Sequence, residues 1–419
     1  MLSKLKSVYS NSEFFKNVFY QMVGIGLAQL LPFAVTPVLT RLYSEADFAL
    51  YTSFFAVASI LVVGVGGRYQ FAIVLPQKNT EAIRIFTLSI YLTIAYTVLL
   101  IVVSIIVGAF LTNPLSHSVY YIPYYVLFFG IWTSFSYLSV RNKTFLHNAT
   151  AKVLQSVFYV VPTILMGVLN LTSVGLIAGR IFGVIGSWFF LQRKSMIKPV
   201  FTKIRSLYQV AGKYKDYPKY GLIPAFLDIA SVQGLALILT EFYSVSDLGY
   251  FGLTALVLSA PLGLVGGSFK DVFYQKITAL INSKDFHRAL SFFYRSALGL
   301  LLLGLPICLA IRFWGVEIFK IVFGDKWARS GELAALLSFS FLIQLIVSPL
   351  SSVFNAATKL KTASVWQSVY FVTTFSTLGL CATYFKLSLD KLIFVYVVHE
   401  IVLYSAYFLL EIRTLKKLS

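Results

Sequence analysis

The residues of this chain best placed to do chemistry are charged side chains set inside, or at the ends of, long apolar runs. Arg180 lies in the middle of one run, Asp228 about a third of the way into another, and His399-Glu400 near the middle of a third. Arg41, Arg68 and Glu241 mark run ends. A charge in hydrocarbon is costly unless it is paired or hydrated, so each is a pointer to function. A guanidinium in a wet cavity would hold an anionic headgroup, because its planar fork matches phosphate. An acid such as Asp228 or Glu400 would suit a coupling cation. The plainer reading is pairing between helices, for instance Arg180 with Asp228.

Other chemistries lack their residues. Gly212-Lys213 has no partner glycine five residues earlier, so no phosphate-cradling loop for ATP forms there. His117, His147, His287 and His399 are scattered and give no metal-ligand spacing, and Cys308 and Cys381 both lie in apolar runs, where they read as packing residues. With no clustered carboxylates and no nucleophile motif, the chain does not read as an enzyme, and no metal site is expected.

The elements that must hold these charges follow from composition. Of 419 residues, 58% are hydrophobic and 12% charged, about half the charge of a soluble domain, and the mean hydropathy is +0.80. A water-soluble globule could not hide that much apolar surface. Twelve runs are long enough to span a bilayer as helices, at about 17–39, 48–67, 86–110, 119–139, 152–169, 173–192, 220–240, 248–268, 292–311, 333–353, 364–384 and 391–411. The first lacks a small-residue cleavage site and reads as a retained span. The net charge of +19 sits mostly in loops. With the N-terminus in the cytoplasm and the spans alternating, cytoplasmic segments hold 27 Lys and Arg and outer loops 7, with Arg180 the last of the 35. This asymmetry predicts that both termini are cytoplasmic. The outer loops are short, the longest at about 312–332.

Shifted by 200 residues, the sequence aligns with itself. Leu39, Thr40, Tyr43, Ser44 and Asp47 recur at Leu239, Thr240, Tyr243, Ser244 and Asp247, and Val57, Ser59, Val65, Gly66 and Gly67 at Val257, Ser259, Val265, Gly266 and Gly267. Ser44 with Asp47, and Ser244 with Asp247, have the spacing of capping boxes. An even number of spans per repeat makes the halves parallel, related by a pseudo-twofold along the membrane normal, with a substrate site expected between them. The expected architecture is an all-α polytopic membrane protein of 12 transmembrane helices in two six-helix bundles, residues 1–204 and 205–419. Because Arg41 and Glu241 hold equivalent places with opposite charge, they could pair as an outer gate.

At these motifs the chain resembles the O-antigen flippase (Wzx-type) family of the multidrug/oligosaccharidyl-lipid/polysaccharide exporter superfamily. The resemblance runs from about residue 20 to 355. It is carried by Pro37-Val38-Leu39-Thr40-Arg41-Leu42-Tyr43-Ser44, Arg68-Tyr69 with Ala72-Ile73-Val74-Leu75-Pro76, Arg141-Asn142-Lys143, Tyr214-Lys215-Asp216-Tyr217-Pro218-Lys219-Tyr220, Val272-Phe273-Tyr274-Gln275-Lys276 and Phe323-Gly324-Asp325-Lys326-Trp327. It implies two bundles in a V, as in the multidrug and toxic compound extrusion transporters. It also implies a bacterial inner-membrane flippase moving undecaprenyl-pyrophosphate-linked oligosaccharide by alternating access, with H+ or Na+ coupling and no other cofactor. A polysaccharide polymerase and a chain-length regulator would be its partners, besides membrane lipids and not nucleic acid. The expected cavity residues are Arg41, Arg68, Arg180, Asp228, His399 and Glu400. The family commonly has an acid after Arg-Tyr, where this chain has Gln70, so ion coupling at that position is not expected. Two alternatives remain at this stage: a multidrug/cation antiporter of the same superfamily, and a polytopic polysaccharide polymerase or ligase, which would generally need a large periplasmic loop.

Overall fold

The structure is a computed structural model and describes Gly24 and residues 26–110, 114–195 and 204–418. Throughout the described residues the regular structure is helical: α1 (Gly26–Leu42), α2 (Glu45–Leu61), a 3-10 segment (Val62–Val74), α3 (Asn79–Phe110), α4 (Ile122–Arg141), α5 (Phe145–Val168), α6 (Thr172–Ser195), α7 (Ile204–Lys213), α8 (Asp216–Val232), α9 (Gly234–Phe242), α10 (Val245–Pro261), α11 (Gly267–Asn282), α12 (Phe286–Phe323), α13 (Ala328–Leu350), the single turn α14 (Val353–Ala356), α15 (Leu360–Thr383) and α16 (Leu389–Lys416). Eight helices, some joined across short breaks, are long and apolar enough to cross a membrane, and α8 with α9, bent by 56°, would make a ninth. Of the remaining expected runs, 119–139 and 364–384 coincide with α4 and α15, and the described part of 17–39 lies in α1, its start falling outside the described residues. The face that α3 turns outward at Ile94, Val98, Ile101, Val102 and Ile105 is wholly apolar, as hydrocarbon requires.

Two boundaries differ from expectation. The run expected at 292–311 belongs to the 38-residue α12, so much of the expected outer loop 312–332 is helix. Its amphipathic continuation carries Arg312, Glu317 and Lys320 on a backbone that satisfies itself. The seventh run is broken between Val232 and Gly234, where Gln233 interrupts the helix.

The chain forms two compact units: residues 1–43 with 53–226, and 44–52 with 227–419. The first capping box is complete, and the second forms its hydroxyl half. Asp47 N donates to Ser44 Oγ (3.3 Å) and Ser44 N to Asp47 Oδ2 (2.9 Å), and Asp247 N donates to Ser244 Oγ (3.1 Å). The shared Val-Gly-Gly marks a helix break in both repeats. Val65 is extended (ψ 141°) and Gly66, Gly67 and Arg68 are left-handed, whereas in the second copy a π-turn at Leu262–Gly266 separates α10 from α11.

Ties between loops respect the expected sidedness, since each joins segments with an even number of expected spans between them. Arg141 Nη1 donates to Pro76 O (2.6 Å) and Nη2 to Asn79 Oδ1 (3.0 Å); Lys213 pairs with Glu81; Arg329 pairs with Asp390. Outside the spans, the Glu81 carboxylate on Lys213 holds its ammonium above the ordinary lysine range.

Candidate functional site

In the first unit the site is built by the close approach of α5 and α6. A side-chain carbon at Gly179 would strike Thr163, and one at Gly183 would meet the Gln155 carbonyl at 2.6 Å, so both positions need glycine for the backbones to touch. That contact fixes Arg180, whose guanidinium lies 5.0 Å from the Phe55 ring centroid and 5.6 Å from that of Tyr159. Beside it is a cavity of about 290 Å³, lined among others by Gln29, Trp132, Lys152, Gln155, Tyr159 and Arg180. Ser156 Oγ donates to Ala28 O and seats α1 on the cavity rim.

Two cations thus share one concavity with aromatic faces and amides. Gln29 Oε1 and Trp132 Nε1 are buried there with no hydrogen-bond partner. A buried polar group left unpaired costs about 1–3 kcal/mol. The volume suits a phosphate-sized headgroup and is too small for an oligosaccharide.

The other expected cavity cations lie elsewhere in this unit. Arg68 sits in the left-handed break (φ 65°) with its guanidinium 4.3 Å from the Phe71 ring centroid. Its neighbour Gln70 is 3% exposed and its Oε1 has no partner. Arg41 is exposed and donates from Nη1 to its own helix at Pro37 O (2.9 Å).

The second unit gathers the acids. Glu400 is buried and accepts the Tyr370 hydroxyl on both oxygens (3.0 and 2.9 Å), with His399 Nδ1 at 3.4 Å. Gln344 Nε2 donates to the Tyr404 hydroxyl at 3.1 Å. Asp228, half-buried on α8, acts by its charge on Tyr404 and Tyr407 and faces the charge of Lys270. Glu241 is exposed at the end of α9. No group of three or more His, Cys, Asp or Glu that could hold a metal occurs among the described residues.

Sequence reasoning missed Lys152, which counts as a loop charge because it stands at the edge of an apolar run, and also Gln29 and Trp132. Lys152 and Gln155 fall on one helix face at a three-residue step, and that pattern was the available signal.

The model of a family described as "Polysaccharide biosynthesis protein" matches residues 38–332. No curated protein matches the chain. Among solved structures, an inward-facing multidrug resistance transporter of the MATE family, in the MOP superfamily, is 14% identical over 96% of both chains with a TM-score of 0.68. A MOP superfamily transporter from Pyrococcus furiosus, described as having a binding pocket of reversed polarity, is 13% identical over 96% of both chains with a TM-score of 0.63. The lipid II flippase MurJ, in an inward closed conformation, is 14% identical over 98% of this chain and 90% of its own, also with a TM-score of 0.63. At such identities the likeness is one of fold. With the family match covering more than half of the sequence, this multi-pass helical chain, folded like the MOP superfamily transporters, belongs to the polysaccharide biosynthesis protein family.

Proposed function

We propose that the chain is a flippase that carries an undecaprenyl-pyrophosphate-linked oligosaccharide from the cytoplasmic to the periplasmic leaflet of a bacterial inner membrane by alternating access. The observation that carries this reading is the first-unit cavity with Lys152 and Arg180 on its wall. Pyrophosphate and sugar hydroxyls do not cross hydrocarbon unaided. Two cations there offset the charge of the pyrophosphate. Arg41 and Arg68 are further proposed headgroup contacts. Asp228 and Glu400, with His399 beside it, are proposed carriers of a coupling H+ or Na+.

The test is a strain deleted for this gene and fed radiolabelled sugar precursors. Lipid-linked oligosaccharide should accumulate on the inner leaflet while surface polysaccharide disappears. The intact gene should reverse both effects and an Arg180→Ala version should not. Normal surface polysaccharide in a strain without a second flippase would overturn the reading and favour export of small cationic compounds, the reading to which the MATE-like fold and the acids of the second unit lend support.

A further inference from the structure

The last helix holds an arrangement that the anion cavity does not use and that lies outside the family-matched residues 38–332. One face of α16 runs Val397, Glu400, Tyr404, Tyr407, Glu411, Leu415, at the three- and four-residue steps that align side chains on a helix. A membrane helix packs against its neighbours with apolar or small residues. Here the middle of the face reads acid, phenol, phenol, acid. Glu400 is held by Tyr370 of α15, and Tyr404 by Gln344 of α13. The Tyr407 ring stacks on Trp366 (4.8 Å, 8°) and on Phe354 (5.2 Å, 18°).

Glu411 ends the file. It is 0% exposed, and neither carboxylate oxygen has a hydrogen-bond partner. Its helix neighbours Phe408, Ile412 and Leu415 belong to an apolar cluster with Phe273 of α11, Phe293 of α12, Leu350 of α13 and Val353 of α14. The titratable group that interacts with it is Tyr407 of its own helix, and among the described residues no cation from α11, α12, α13, α14 or α15 pairs with it. Around the other end of the file stand Tyr370 from α15, Tyr396 and His399 from α16, and Asp228 from α8, whose charge reaches Tyr404 and Tyr407. An unpaired carboxylate is very costly in such a place, and the neutral acid is not.

We propose that Glu411 is a proton-binding site, its carboxyl holding a proton inside the apolar cluster near the end of α16 that carries Arg413, Lys416 and Lys417. The inference rests on the transporter reading, and extends it from Glu400 to a second acid.

The experiment uses the full chain in lipid vesicles and infrared spectroscopy, with protons and deuterons as the probe. At neutral pH the wild type should show the carbonyl band of a dry, protonated carboxylic acid. Glu411→Gln should remove that band and Glu400→Gln should leave it. The band should shift in deuterated water. A wild type without the band, or a folded Glu411→Gln protein that keeps it, would overturn the site. The wild-type band and its deuterium shift serve even where Glu411→Gln does not fold. None of these readouts uses cargo, so failure of oligosaccharide flipping would sink the flippase reading separately.

Discussion

Lys152 of α5 and Arg180 of α6 line the same cavity, although the sequence places the first at the edge of an apolar run and the second in the middle of one. The α5–α6 glycine contact and α1, seated by Ser156, bring them to one wall.

If these two cations grip one anionic group, removing either should weaken binding of a short-chain polyprenyl pyrophosphate. A hydrogen bond to a charged group is worth about 1.5–3 kcal/mol, so Lys152→Ala and Arg180→Ala should each cost about 10- to 150-fold in affinity by calorimetry in detergent. The double variant should lose less than the sum, because groups sharing one ligand couple. Full additivity, or no loss in either single variant, would remove the cavity from the binding account.

Arg68 allows strain and function to be separated. A non-glycine residue in the left-handed region costs about 1–2 kcal/mol, and Arg68 sits there at φ 65°. Arg68→Gly should therefore be more stable to heat than Arg68→Ala, by about 1 kcal/mol. Both variants should transport poorly if the guanidinium serves the headgroup. Equal stability of the two would show that the break relaxes when the side chain is lost.

Much of the scaffold was legible. The helical runs and the Ser-Asp helix starts follow from spacing, because each depends on residues close in sequence. The break at Val65-Gly66-Gly67 was visible as a repeated motif but not as a break, since glycine in an apolar run also serves helix packing. The cavity was half legible. Arg180 stands out as a charge in hydrocarbon, whereas Lys152, Gln29 and Trp132 acquire meaning only when three helices meet. Glu411 was hidden by its place at the edge of a run, where an acid ordinarily reaches water.

Gly249 tests close packing in the second unit. A side-chain carbon there would collide with the backbone carbonyl of Glu45, at the start of α2, which this unit includes. Backbone cannot step aside as a flexible side chain can, so Gly249→Ala should destabilise by about 1–3 kcal/mol. Thermal unfolding followed by tryptophan fluorescence would report it, since Trp327 packs 4.9 Å from Phe48 on the same helix. A neutral result would mean that α2 and α10 separate easily at this point.

The repeated tyrosines make the last prediction. Tyr43 donates its hydroxyl to Thr163 O at 2.7 Å in one unit, and Tyr243 donates to Leu387 O at 2.8 Å in the other. Each therefore anchors the residue before a capping box to the fifth expected span of its half or the loop just after it. This explains why tyrosine, serine and aspartate recur together in the two repeats: the box stops one helix and starts the next, and the phenol fixes where that corner sits. Tyr43 is fully buried and its bond is shielded from water, whereas the Tyr243 bond is partly buried. Replacement by phenylalanine should cost about 1 kcal/mol at Tyr43 and less at Tyr243, because water can take over the freed carbonyl only at the second. Denaturation of the two variants in matched detergent would decide. A larger loss at Tyr243 would mean that the loop after α15 depends on its corner more than α5 does.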